Sequence, residues 1–286
     1  MSKMQAGYGK LSLGDIHDLS SQEYVFGRET PDKSTYFWMN TPLKTEALFT
    51  PKNNADRLFV LFCGDAERQR YTPPVFQRWK WAERFPGHCL FVSDPTLYLN
   101  DDLGLAWYCG TPDFDPLQGI AEMARDIATC SGIPESKIIL YGSSGGGFAA
   151  LRLTSILTQA TAVVINPQIN ILNFSSQSKV DFCMESCFPG LSREEIERDH
   201  GDRINLMHDK FDFQNKKLIY AQNKLDKSHY FRHYMPFLEK LGINGRQEFK
   251  SDRLKTILFE NVDGHPKAEA GNPEVFDRMI DLITTG

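Results

Sequence analysis

The sequence has no apolar run approaching the roughly 20 residues that span a bilayer. Its longest runs, such as RLFVLFC at 57–63 and KIILY at 137–141, fall far short, so no transmembrane segment is expected. The opening MSKMQAGYGKLSLGDIH has no apolar stretch after its lysine and does not read as a secretory signal, which makes a cytoplasmic location the expectation. Excess positive charge is also missing. With 32 Lys and Arg against 37 Asp and Glu the net charge is -5, and nothing at the level of composition attracts a nucleic acid. The six cysteines include no C-x-x-C pair and are too few for a disulfide framework. Cys183 and Cys187 lack histidines at zinc spacing, so reduced, buried thiols and no metal site are expected. There is no internal repeat, low-complexity tract or interdomain linker, and no signal for an oligomeric state.

Hydrophobic residues at 41% and charged residues at 24% specify a folded body. Short apolar runs alternate with longer amphipathic segments, the pattern of strands and crossover helices in a mostly parallel sheet. Strands are predicted at 57–63, 88–93, 137–141, 161–166, 217–222 and 255–260, with weaker antiparallel edge candidates at 36–39 and 45–50. Helices are predicted at 73–85, 116–131, 145–158, 228–241 and 273–284. Asp115, Pro116 and Gln118 supply the start of the second and Gly132 its stop; Asn272 with Pro273 starts the last. The interval 167–216 is too long for one crossover and reads as an insertion over the sheet, with Ser192 and Glu195 as a capping box for a short helix. The expected organisation is an N-terminal segment at 1–56 carrying the edge strands and a catalytic domain at 57–286 with a partly helical cap.

After strand 137–141 the residues Gly142-Ser143-Ser144-Gly145-Gly146 satisfy G-x-S-x-G in one register only, which selects Ser144. The glycines have a steric reason. A tight strand-to-helix turn forces the serine into a strained backbone conformation, and side chains two positions away would collide with neighbouring backbone. The turn also sets Ser144 at a helix start, where the Gly145 amide and the positive helix end can stabilise an oxyanion.

Other readings of this cluster remain. A phosphate loop fails because Phe148 stands where lysine is needed. Gly145, Gly147 and Ala150 match a dinucleotide fingerprint, but no Asp or Glu occurs from Phe148 through Val180 to bind ribose hydroxyls, which counts against an NAD-linked oxidoreductase. A purely structural glycine turn, in a non-catalytic binding protein, is the third.

A nucleophilic serine needs a base and an orienting acid, in the chain order serine, acid, histidine at strand ends. The loop after strand 217–222 offers Asp226, and the loop after 255–260 offers His265, the one histidine beyond that strand. Asp212 and Asp263 are competitors for the acid, with Asp263 ranked last because it lies too close to His265 to orient it. The loop LFCGDAERQR after the first core strand offers Gly64 and Asp65 as second oxyanion donors. His229 and His233 are one helical turn apart, but Tyr230 stands at the glutamate position of a zinc protease helix. A surface or capping role is expected for the pair, although Asp226 nearby would bring one of them toward the pocket. Trp79, Trp81 and Phe85 are expected in the core, and Arg68, Arg70, Arg78 and Arg84 on a solvated helical face that, close to the oxyanion loop, would suit an anionic donor or glycan.

The strand order, YGSSGGGF, Asp226 and His265 together resemble the α/β-hydrolase superfamily over about residues 57–284. More narrowly, DPTLYL with AWYCG at 94–110 and YAQNKLDKSHY at 220–230 are similar to bacterial α/β-hydrolase-type O-acetyltransferases that modify capsule and other surface glycans. The wider resemblance implies a parallel sheet with helices on both faces and a Ser144, His265, Asp226 triad acting on a small ester with no required cofactor. The narrower one implies acetyl-CoA as donor and a sugar hydroxyl as acceptor.

Overall fold

A computed structural model of the chain describes residues 10–11, 19–262 and 272–285. In chain order the strands are β1 (Lys10–Leu11), β2 (Ser20–Glu23), β3 (Thr35–Met39), β4 (Thr45–Thr50), β5 (Leu58–Phe62), β6 (Phe76–Gln77), β7 (His88–Val92), β8 (Ile138–Ser143), β9 (Thr161–Ile165), β10 (Lys217–Asn223) and β11 (Leu254–Phe259). The helices are α1 (Pro116–Cys130), α2 (Ser144–Leu153), α3 (Gln177–Cys187), α4 (Arg193–Ile204), α5 (Lys227–His229), α6 (Met235–Lys240) and α7 (Pro273–Thr284).

Nine strands form one sheet in the order β11-β10-β9-β8-β5-β7-β4-β3-β2. From β11 to β7 every pairing is parallel; β4 then runs antiparallel to β7, and β3 antiparallel to β4. The apolar runs are continuous because both faces are covered, and the period of two divides them. Leu58, Val60 and Phe62 of β5 and Ile138 and Leu140 of β8 join the core beneath α1 and α2. Phe59, Leu61, Ile139 and Tyr141 face the other way, onto Trp81, Phe85 and the Val275, Phe276 and Met279 face of α7.

Local chemistry explains the helix ends. Asp115 accepts the Leu117 N–H at 3.1 Å with Pro116 at the first position, and α1 closes through Gly132 in the left-handed region with Ile133 N–H on the Ala128 carbonyl at 2.8 Å. The Ser192 capping box opens α4, with Glu195 N–H on Ser192 Oγ at 3.3 Å and Ser192 N–H on Glu195 Oε2 at 2.7 Å. Val180, Cys183, Met184 and Cys187 of α3 and Ile196 and Ile204 of α4 are buried in the main core, so the insertion is packed down as a cap.

The segment 73–85 departs from the predicted helix. It holds the two-residue strand β6, paired with β1, and a 3₁₀ turn at Trp79–Arg84 that starts after Arg78 in the left-handed region. Trp81 and Phe85 sit edge-on to Phe276 at ring separations of 5.6 and 5.4 Å, so burial of the aromatic pair is satisfied without an α-helix.

Candidate active site

The sheet reverses its winding between β5 and β8: the chain leaves β5 for β7 on one side and reaches β8 on the other. Ligands of open α/β sheets bind outside the carboxyl ends of the strands at such a switch point. Gly64 follows β5 there and Ser144 follows β8. A Cβ built on Gly64 would lie 3.5 Å from the Ser143 carbonyl and 3.8 Å from Ser144 Cβ, so the two loops are in contact.

Ser144 has φ +54°, a conformation that strains any residue with a side chain by about 1–2 kcal/mol. The glycines around it are sterically required. A Cβ on Gly142 would fall 2.3 Å from the carbonyl carbon and oxygen of Gly146, and one on Gly146 would fall 2.6 Å from the Phe62 carbonyl oxygen. The close approach of α2 to β5 and β8 thus depends on hydrogen atoms at both positions, and it holds the half-buried Ser144 at the lip of the sheet.

The Ser144 hydroxyl meets the carboxamide of Gln168, a fully buried residue two positions past Asn166, which is itself left-handed at φ +43° at the end of β9. Gln168 Nε2 lies 3.0 Å from Ser144 Oγ and 2.7 Å from His229 Nε2, while Trp107 Nε1 donates to Gln168 Oε1 at 3.0 Å. His229 is buried, and its Nδ1 lies 2.9 Å from Asp226 Oδ2. The other oxygen of Asp226 caps α5, accepting the His229 N–H at 3.2 Å. A π-helical turn at Tyr230–Tyr234 follows, and on it the fully buried His233 accepts the Ile169 N–H at its Nδ1 at 3.2 Å, anchoring the residue beside Gln168.

Of the residues selected from sequence, Ser144, Gly145, Gly64 and Asp65 cluster at the switch point, and Asp226 reaches Ser144 through His229 and Gln168. His265 and its neighbour Asp263 lie outside the described residues. Gly145 is buried under Leu105 and Trp107; a Cβ there would come within 2.6 Å of Leu105 Cδ1. The Gly64 N–H donates to Gln77 Oε1 at 3.0 Å, and Gln77 Nε2 in turn donates to the Asp65 carbonyl at 3.0 Å. The Asp65 carboxylate is ion-paired with Lys179 of α3, which ties the cap to this loop. Beside it opens a cleft of about 500 Å³ lined by Arg68, Arg70, Leu105, Lys179 and Phe182 among others.

Two expectations are corrected. His229 and His233 are neither surface nor simple capping residues, because α5 and the π turn that follows it set both rings inward, 5.3 Å apart, against the segment after β9. Nor are all four arginines on a solvated face. Arg78 is fully buried, donates to Ser143 Oγ and lies 5.7 Å from the Tyr141 ring centre, while Arg68 lies under the 95–99 turn and donates to the Leu97 carbonyl at 3.0 Å. Gln168 and Trp107 were missed as site residues at the sequence level, and Arg78 was named there only among the arginines of a solvated face. Only His229 carried a signal, standing three residues after the capping Asp226 and four before His233.

No protein-family model matches the sequence, and no curated protein matches it. Solved structures do match in shape. The capsule O-acetyltransferase of Neisseria meningitidis serogroup A superposes with a TM-score of 0.59 at 17% identity, over 87% of this chain and 92% of that one. A glycosylation-associated protein complex (Gap123) from Streptococcus agalactiae gives 0.59 at 16%, over 84% of this chain and 43% of that one. Pyrococcus horikoshii acylaminoacyl peptidase gives 0.55 at 14%, over 88% and 41%. At such identities the likeness is one of fold, and the fold is of the α/β-hydrolase type.

Proposed function

We propose that this protein is a serine-nucleophile acyl-transfer enzyme working through an acyl-Ser144 intermediate. The observation that carries the proposal is the strained Ser144, at φ +54° on the turn from β8 to α2 and beside the loop after β5. A protein that used the glycines only to pack a helix would have no reason to hold a serine in that conformation where glycine is free of strain.

In this mechanism His265 takes the Ser144 proton as Oγ attacks an ester or thioester carbonyl, in the role its place in the chain order indicates. Asp226 is the acid of the site. The Gly145 amide, at the N-terminal end of α2, supplies one oxyanion donor. The Gly64–Asp65 segment supplies the second, and a substrate oxygen would compete with Gln77 for the Gly64 N–H. The acceptor then breaks the acyl-enzyme. Water as acceptor gives an esterase, and a glycan hydroxyl gives an O-acetyltransferase with acetyl-CoA as donor. Transfer is supported by structural likeness to the meningococcal capsule enzyme, one form of which was solved with CoA.

The test is labelling by a fluorophosphonate probe. Wild type is expected to react and Ser144→Ala to remain unlabelled; labelling that survives the substitution refutes the serine assignment. Incubation with acetyl-CoA, with and without candidate glycans, then separates the two acceptors. CoA released only when glycan is present supports transfer, and glycan-independent release supports hydrolysis.

A further inference from the structure

Taking Ser144 as the nucleophile, as proposed above, we infer that Gln168 is a further catalytic residue, an amide donor that stabilises negative charge on Ser144 Oγ, with Trp107, His229 and Asp226 as its positioning residues.

The hydrogen-bond inventory leaves the carboxamide one orientation. Indole Nε1 can only donate, so the atom 3.0 Å from Trp107 must be Gln168 Oε1. The two hydrogens on Nε2 then point to Ser144 Oγ at 3.0 Å and His229 Nε2 at 2.7 Å, while the Ser144 hydroxyl can donate its own hydrogen to Oε1 at the longer distance of 3.4 Å. His229 Nε2 must therefore present a lone pair, and the ring carries its proton on Nδ1, where Asp226 Oδ2 lies 2.9 Å away. The amide orientation thus fixes the histidine tautomer, the Asp226 carboxylate lies beside the protonated ring nitrogen, and the amide addresses the nucleophile. His229 Nε2 faces Gln168 rather than Ser144, so in this arrangement it is not placed to take the serine proton itself.

Charge passes through Oγ twice in the reaction. In acylation the Oγ–H proton goes to the base, the Oγ–C bond forms, and the carbonyl π pair moves to the carbonyl oxygen. Collapse expels the leaving group, which takes that proton from the base. In deacylation the acceptor gives its proton to the base and its oxygen bonds to the acyl carbon. The C–Oγ bond then breaks with its electron pair returning to Oγ, which recovers a proton from the base. A buried N–H already aimed at Oγ needs no reorganisation at either moment. The conventional donors serve the carbonyl oxygen, whereas this one serves the nucleophile and leaving oxygen. Three rigid supports explain why a glutamine, otherwise rich in rotamers, is fully buried here.

The full-length protein is assayed for the rate constant and half-saturation of fluorophosphonate labelling, alongside thermal melting. Gln168→Met and Gln168→Glu keep the shape but remove the donor, and each is expected to slow the rate constant about 10- to 100-fold while half-saturation stays within about twofold. His229→Phe is expected to slow it several-fold. His229→Gln, whose carbonyl can accept the same N–H, is expected to recover most of the loss, a rescue that a merely space-filling role would not produce. Wild-type rates in Gln168→Met, or equal rates in His229→Phe and His229→Gln, overturn the inference. If neither Gln168 variant melts cooperatively, the His229 pair decides alone. Loss of the underlying serine reading is seen separately, as an unlabelled wild type or a labelled Ser144→Ala.

Discussion

One substitution, glycine to alanine, should act in opposite directions at two positions of this chain. At Gly142 the new Cβ would sit 2.3 Å from the Gly146 carbonyl carbon and oxygen and 2.7 Å from Gly147 N, about 1 Å inside the 3.4 Å at which ordinary contact begins. Those atoms are backbone of the first turn of α2, and Gly146 is itself pressed against the Phe62 carbonyl, so no side chain can rotate away to relieve the overlap. We expect a loss of about 2–3 kcal/mol. For a chain of this size that corresponds to a fall in melting temperature of roughly 3–5 °C. Because the atoms that shift carry Ser144, the labelling rate should drop on the order of 100-fold, as a displacement of about 1 Å does elsewhere. At Gly119, inside α1, the same methyl would meet only Met39 Cε at 3.5 Å, an ordinary contact. There the better helix propensity of alanine should raise stability by about 0.5–1 kcal/mol and leave labelling unchanged. Urea and thermal unfolding with fluorophosphonate kinetics on both variants make the test. The steric account of the turn is refuted if Gly142→Ala melts within about 1 °C of wild type and labels at its rate.

The loop that carries Trp107 and Tyr108 is fastened by the buried Asp94, which accepts Tyr108 N–H at 2.8 Å and Thr96 N–H at 2.9 Å, and whose carboxyl burial pushes up to about 7. Between about pH 4 and 7 the folded chain holds a proton that the unfolded chain has released, so this group makes stability fall as pH rises through that window and level off above it. Asp94→Asn should remove that component, and an unchanged difference in urea midpoint between about pH 5 and 8 would contradict it. The ion pair of Arg152 with Asp115 joins α2 to the start of α1, with side-chain exposures of 5% and 17%. Asp115→Asn, which leaves the deeper arginine charged and uncompensated, should cost about 3 kcal/mol, and Arg152→Met less, because Asp115 sits nearer water; the reverse order of urea midpoints would refute this. Of the six thiols, Cys130 alone is not fully buried; burial pushes the Cys89 and Cys183 thiols up, and a hydrogen bond with Cys109 does the same to Cys187. Native protein should take up one maleimide and denatured protein six, as read by intact mass; prompt modification of Cys183 or Cys187 would show that the cap opens.

The core strands were legible because helices on both faces make them unbroken apolar runs, and β3 and β4 fell within a residue of their predicted places. Segment 73–85 was misread for a physical reason. Aromatics spaced as in Trp81 and Phe85 satisfy helical periodicity, yet the left-handed Arg78 breaks the helix, and the partners that this backbone meets, Ser143 for Arg78 and Phe276 for the aromatics, lie outside the segment.

The same division runs through the site. Sequence by itself determined the elbow, since the clash of Gly142 with Gly146 and the strain at Ser144 arise among residues within a few positions of one another. It also put Asp226 at the end of a strand. What surrounds the serine hydroxyl was decided only by tertiary structure. Trp107, Gln168 and His229 are 61 positions apart in successive pairs, and a glutamine after β9 looks like any other until the sheet winding brings the ends of β8, β9 and β10 side by side. Local sterics can be read from a spacing of residues. A hydrogen-bond chain across three strand ends exists only once the strands have been ordered.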